Sequence, residues 1–231
     1  ISNVLAVTGR AMPVTLEDIT LFAELEDGTI IKGESQIPII QQQSKVKIKR
    51  IFLEPSNCQA LPEAVKAIEE ADAIILGPGS LYTSVIPNLL VKGISKSIAK
   101  SRGLKIYVSN IMTQKGESIG YSLSDHIKTI NEHANDKVVE YVIANNESIP
   151  DELVDKYKTE EAAPVILDLQ ELRKLKVKVI TGNFVNIEQG FIRHNYNLLT
   201  EAIFGLICDE KLTGDTRRLL DYYFVYDKLK K

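Results

Sequence analysis

The residues best suited to hold a charged small molecule form one run, Gly77-Pro78-Gly79-Ser80-Leu81-Tyr82-Thr83-Ser84. Glycines let the backbone come close to a ligand, and amides opening a helix direct positive charge at an anion. Ser80, Thr83 and Ser84 add hydroxyl donors of the kind that meet phosphate oxygens. A tight turn with a serine cap is the other reading, because the run is neither a Walker A loop nor GxGxxG. A second polar run, Ser109 to Ser118, offers Asn110, Thr113 and Gln114 to a base, a ribose or a sugar hydroxyl. A solvated connection would have the same composition.

Two further places carry usable chemistry. Arg193-His194-Asn195 stands where a strand-like piece meets a helix, and an arginine there can clamp a diphosphate bidentately or make a structural ion pair. Tyr157 belongs to Tyr157-Lys158-Thr159-Glu160-Glu161-Ala162, an exposed helix end or a surface on which a ring could stack. His194 has no nucleophile beside it and reads as a capping or packing residue. His126 and His133, seven apart on one helix face, read as surface positions. Cys58 and Cys208 are far apart and belong to no CxxC, and no HExxH occurs. No Ser-His-Asp order or paired-carboxylate signature is visible either, so neither a catalytic residue nor a metal ligand is assigned.

These loops need elements to hold them. Ile19, Leu21, Ala23 and Leu25 alternate with polar positions, Asp27-Gly28 supplies a turn, and Thr29 to Lys32 returns as a partner strand. Residues 36–46 read as a polar loop, and Lys47 to Leu53 as a further strand. After Pro55 the rhythm becomes helix and strand in series. Strands are expected at Ala71–Leu76, Leu104–Val108, Val138–Ala144 and Val177–Thr181, the apolar kind buried on both faces of a parallel sheet. Helices are expected over 62–70, 88–101, 122–133, 151–161, 168–174, 195–207 and 215–230. The fold class is therefore α/β, with a doubly wound parallel sheet covered by helices on both faces and a small antiparallel hairpin layer. Ligands of such sheets gather beyond the carboxyl ends of the strands, where all four polar sites fall.

Composition narrows the function. With 231 residues, 44% hydrophobic and 26% charged, the chain can bury a core. A formal net charge of −3 provides no whole-molecule field for nucleic acid or an anionic membrane. No apolar run approaches the ~20 residues that span a bilayer. A cytoplasmic protein is expected, with a homodimer possible and protein partners unknown. The opening Ile1-Ser2-Asn3-Val4-Leu5 lacks an initiator methionine and reads as the tail of a helix, so an upstream segment is expected.

Taken in order, the runs resemble the CofD-like proteins and, within them, the YvcK-type gluconeogenesis factors. The matching pieces are Glu26 to Ile30 with Gly33-Glu34-Ser35, then Ile51 to Pro55, Gly77 to Leu89, Thr113-Gln114-Lys115-Gly116-Glu117, and Arg193-His194-Asn195. The resemblance runs to about residue 205 and implies a three-layer α/β/α Rossmann-like fold over residues 1–208, with 209–231 a helix or tail lacking a counterpart. It implies a UDP-sugar ligand such as UDP-N-acetylglucosamine, and a regulatory role in cell-wall synthesis and cell shape on gluconeogenic carbon sources. On that resemblance the ligand-binding set is Gly77, Pro78, Gly79, Ser80, Tyr82, Thr83, Asn110, Thr113, Gln114, Tyr157, Arg193 and Asn195. Tyr157, in Tyr-x-x-Glu-x-Ala-x-Pro-Val, and Arg193 would be sugar-nucleotide contacts. The CofD branch implies an alternative: a transferase moving a phospholactyl group from a guanosine diphosphate carrier to a deazaflavin, with Mg²⁺. The family's opening Gly-Gly-Gly-Thr-Gly turn and its Asp-Asp-Gly-Gly-Ser loop do not occur here, and Lys115 replaces the usual proline.

Overall fold

The computed structural model describes residues 9–211. The helix expected over 215–230 lies outside them, as does the opening run. Four parallel strands form the central sheet: β4 (Ala73–Leu76), β5 (Leu104–Val108), β6 (Tyr141–Asn145) and β7 (Lys178–Gly182), in spatial order β4-β5-β6-β7. Every residue of β5 is buried, as its Leu-Lys-Ile-Tyr-Val sequence requires of a strand covered on both sides.

The alternation along these strands divides two cores. Ile106, Val108, Tyr141 and Ile143 face Leu199 and Ile207 of α8 (Tyr196–Lys211). Tyr107, Val142 and Ala144 face the opposite way. That side packs on Leu81 and Val85 of a π-helical turn (Leu81–Val85), on α3 (Ile86–Leu90) and α4 (Ile94–Lys100), and on α5 (Leu123–Ala134). The three-layer arrangement is therefore present.

Its winding differs from expectation. Among the described residues the strand order never reverses, so right-handed crossovers put every helix between consecutive strands on one face or at the sheet end. Among the described residues the second face is covered by α8, which arrives through a hairpin of β8 (Val185–Glu188) and β9 (Phe191–His194). Only the second of those strands was legible in the sequence.

A small antiparallel sheet, in order β2-β1-β3, closes the helical layer from outside. It comprises β1 (Thr20–Leu25), β2 (Ile30–Lys32) and β3 (Ile48–Glu54). Its Ala23, Leu25, Ile51 and Leu53 join the same core as α3 and α5. The backbone N–H of Ile51 donates to His133 Nε2 at 3.1 Å, so His133 joins sheet to helix rather than facing solvent. His126 is likewise fully buried, with Nδ1 donating to the Ser122 carbonyl at 2.8 Å. Both histidines were expected at the surface. Their helix face looks inward because Ile127 and Ile130, next to them on α5, are core residues.

The loop expected at 36–46 is a helix, α1 (Gln36–Ser44). Ile37 and Gln41, one turn apart, bury a narrow face, and Gln41 Nε2 donates to the Val46 carbonyl at 3.2 Å. The helix expected over 88–101 is split into α3 and α4 by Gly93, whose φ of 104° no helix accommodates. The remaining helices are α2 (Pro62–Glu70), α6 (Asp151–Lys158) and α7 (Leu169–Lys174). No helix among the described residues is long and apolar enough to cross a membrane.

Candidate functional site

Beyond the carboxyl ends of β4 and β5 lies an open cleft of about 640 Å³. Pro78, Gly79, Ser80 and Ser84 come from the first loop, and Asn110 to Lys115 from the second. Tyr157 and Glu160 reach it from the end of α6, and Ile192, Arg193 and His194 from β9. Eight residues of the sequence-derived set therefore share one surface: Pro78, Gly79, Ser80, Asn110, Thr113, Gln114, Tyr157 and Arg193. Parallel pairing of β4 with β5 sets the two loops side by side, and hydrogen bonds lace them. Gln114 Nε2 donates to Ser80 Oγ at 2.8 Å and Asn110 Nδ2 to Gln114 Oε1 at 3.3 Å, while Gly79 N–H reaches Asn110 Oδ1 at 3.4 Å. These side chains are held before any ligand arrives, which lowers the entropy cost of binding.

Gly77 does not line the cleft. It turns the chain at a φ of 79°, and a β-carbon there would stand 3.0 Å from the Val108 carbonyl. Tyr82 is in the core, its hydroxyl 2.7 Å from that of Tyr121. Thr83 faces away, its Oγ1 donating to Glu117 Oε1 at 2.7 Å, and the Tyr82 N–H donates to Glu117 Oε2 at 2.9 Å. The carboxylate of Glu117 thus already occupies the N-terminus of the π-helical turn, where the sequence reading placed a phosphate. Burial pushes the Glu117 carboxyl above the usual range, and these two hydrogen bonds pull it part of the way back. Asn195 caps α8, with Oδ1 accepting from Leu198 N–H at 3.2 Å.

Elsewhere in the lining, Tyr157 Oη accepts from Ile192 N–H at 3.0 Å, fixing β9 against α6. Arg193 is exposed, with its guanidinium 5.6 Å from the centroid of Phe191. His194 Nε2 donates to the Ser109 carbonyl at 3.0 Å, tying β9 to the loop after β5. Burial lowers its pKa and that bond offsets part of the effect, so the ring serves as a neutral tie. Sequence reasoning passed over two residues here, Lys115 and Glu117, which lay within a quoted motif, so spacing could have pointed to them. His194, read from the sequence as a capping or packing residue, does pack, and only its partner, 85 residues distant, was out of reach of spacing.

A smaller chamber of about 260 Å³ adjoins the cleft through Asn110 and Ile111. Among the described residues, no three His, Cys, Asp or Glu side chains come together to hold a metal ion.

Residues 1–185 match the family described as 2-phospho-L-lactate transferase CofD. A relative from Clostridium acetobutylicum is 45% identical over 230 residues, covering 100% of this chain and 51% of its own length. Residues 209–231, expected to lack a counterpart, thus have one in that protein. The gluconeogenesis factor of Bacillus subtilis is 41% identical over 206 residues, 89% of this chain and 64% of its own. A solved UPF0052-family structure from Bacillus halodurans superposes with a TM-score of 0.82 at 44% identity, covering 87% of this chain and 64% of that one. The chain thus spans between about half and just under two thirds of the length of these relatives.

Proposed function

The chain belongs to the CofD family, and from that premise we propose that it is a binding module of the gluconeogenesis-factor branch, responsive to a nucleotide sugar of the UDP-N-acetylglucosamine type. One observation carries the reading: the glycine–serine loop, Tyr157 and Arg193 line a single cleft although they come from three separate stretches of the chain. A diphosphate suits the hydroxyl of Ser80 and the guanidinium of Arg193, and a flat ring suits the face of Tyr157. A role in cell-wall synthesis and cell shape on gluconeogenic carbon sources follows from the same reading. The acid that caps the π-helical turn leaves the basic side chains, rather than the helix amides, to hold the phosphates.

The family match also favours the transferase reading, in which a guanosine diphosphate carrier occupies the same cleft. Among the described residues no three His, Cys, Asp or Glu side chains gather to hold the Mg²⁺ that reading implies, and no step is assigned to a metal. Titration calorimetry with UDP-N-acetylglucosamine and with GDP separates the two. Micromolar or tighter binding of the UDP-sugar is expected, and Arg193→Ala should weaken it by about 1.5–3 kcal/mol, the contribution of a charged hydrogen bond. Binding of GDP alone, or an unchanged dissociation constant in the variant, would refute the assignment.

A further inference from the structure

Two stretches are not accounted for by the cleft: Gly33-Glu34-Ser35, which follows β2, and Gly116-Glu117, in the loop after β5. They meet across the layers in a second cavity of about 620 Å³, lined by Glu34, Ser35, Thr83 and Glu117. Ser80, Gln114 and Lys115 belong to both cavities, so the Ser80–Gln114 hydrogen bond and the Lys115 side chain form a shared wall. We propose that this second cavity receives the hexose ring of the nucleotide sugar, with the nucleoside beside Tyr157 and the diphosphate crossing the wall at Ser80 and Lys115. The inference rests on the nucleotide-sugar reading above and adds which end of the ligand lies where.

Three observations carry it. Each cavity by itself is of a size that holds half of such a ligand with room to spare, and the two adjoin at Ser80, Gln114 and Lys115. Two bulky ends linked by a slender charged bridge match that outline. Charge then sets the polarity. The second cavity holds two carboxylates, Glu34 and Glu117, against Glu160 alone in the cleft, and they repel phosphate and accept hydrogen bonds from sugar hydroxyls, whereas Lys115, 4.0 Å from Glu161, stands on the shared wall. Each Glu117 oxygen already takes one donor and keeps a lone pair for a second. Ser35 and Thr83 add hydroxyls of the same kind.

The third observation is rigidity. Gly116 lies so close to α1 that a β-carbon would stand 2.3 Å from the Pro38 carbonyl oxygen. The helix carrying one wall of the cavity is thereby pressed against the loop carrying the other, and the cavity keeps its shape when empty.

Calorimetric titration of the full chain with UDP and with UDP-N-acetylglucosamine tests the assignment, using wild type and Glu34→Gln. Glu34 is exposed, so the variant keeps the fold, checked by an unchanged melting midpoint. The expected result is about a tenfold weaker UDP-N-acetylglucosamine affinity, because the amide accepts from a sugar hydroxyl without the carboxylate's charge, with UDP affinity unchanged. Equal weakening of both ligands, or no change in either, overturns the placement while leaving the nucleotide-sugar reading intact. Failure of wild type to bind either ligand overturns both.

Discussion

Replacing Gly116 by alanine separates backbone strain from steric contact, and the structure supplies its own control. Gly116 has a φ of 78°, and the added β-carbon would meet Pro38 at 2.3 Å (oxygen), 2.7 Å (Cα) and 2.8 Å (carbonyl carbon). All three are backbone atoms, so no side-chain rotation relieves the clash. Gly120, four residues on in the same loop, has a φ of 75° with nothing within 4 Å of its virtual β-carbon. Both substitutions incur the left-handed backbone cost of roughly 1–2 kcal/mol. Only Gly116→Ala adds overpacking, about 1–3 kcal/mol, for a total near 2–5 kcal/mol. At about 2–4 °C per kcal/mol for a chain of this size, the melting midpoint should fall by roughly 4–20 °C, against about 2–8 °C for Gly120→Ala. Calorimetric melting of both variants beside wild type reads this directly. Equal midpoints for the two would show that α1 is not pressed against the loop, and the preformed second cavity would lose its support.

Two more predictions come from single side chains. Tyr157→Phe keeps the ring but leaves the buried Ile192 N–H without its acceptor, so stability should drop by about 1–3 kcal/mol while UDP-N-acetylglucosamine affinity stays within about threefold. A variant as stable as wild type, or one that no longer binds, would contradict that division of labour. Burial lowers the pKa of His126 and His133 below the ordinary 6.5, so the unfolded chain takes up protons first as pH falls. Stability is therefore full above about pH 6.5 and is lost as pH falls through the lowered folded values. His126→Leu removes one of these groups, whose Nε2 is buried without a hydrogen-bond partner among the described residues. Its melting midpoint should depend less steeply on pH between about 7.5 and 5.5. An unchanged slope would mean that His126 is not the group responsible. Asp125 and Asp168 favour the charged ring, and they are too weak to overcome its burial.

The central strands were legible because a strand covered on both faces must be apolar at nearly every position, and Leu104–Val108 meets that condition without reference to anything else. The helix α5 was legible for a local reason too: Ser122 and Asp125 form a reciprocal cap within one turn. The loop after β4 advertised itself through glycine, proline and hydroxyl residues that few other structures require. Helix α1 was hidden, since Gln41-Gln42-Gln43-Ser44 has a polar composition and Ile37 and Gln41 alone in it are buried.

What residue types alone determined was thus the layered α/β character and the identity of the polar loops, because both follow from burial and backbone freedom within short stretches. Tertiary structure decided how those loops are used. Thr83 and the Tyr82 amide, offered by the sequence to a phosphate, are taken by Glu117 more than thirty residues away. Arg193 shares the cleft with Ser80 because β9, α6 and the loop after β5 are tied through Tyr157 and His194. Contacts between groups so distant along the chain leave no periodicity or spacing to read, and they exist only once the sheet has set the two loops side by side.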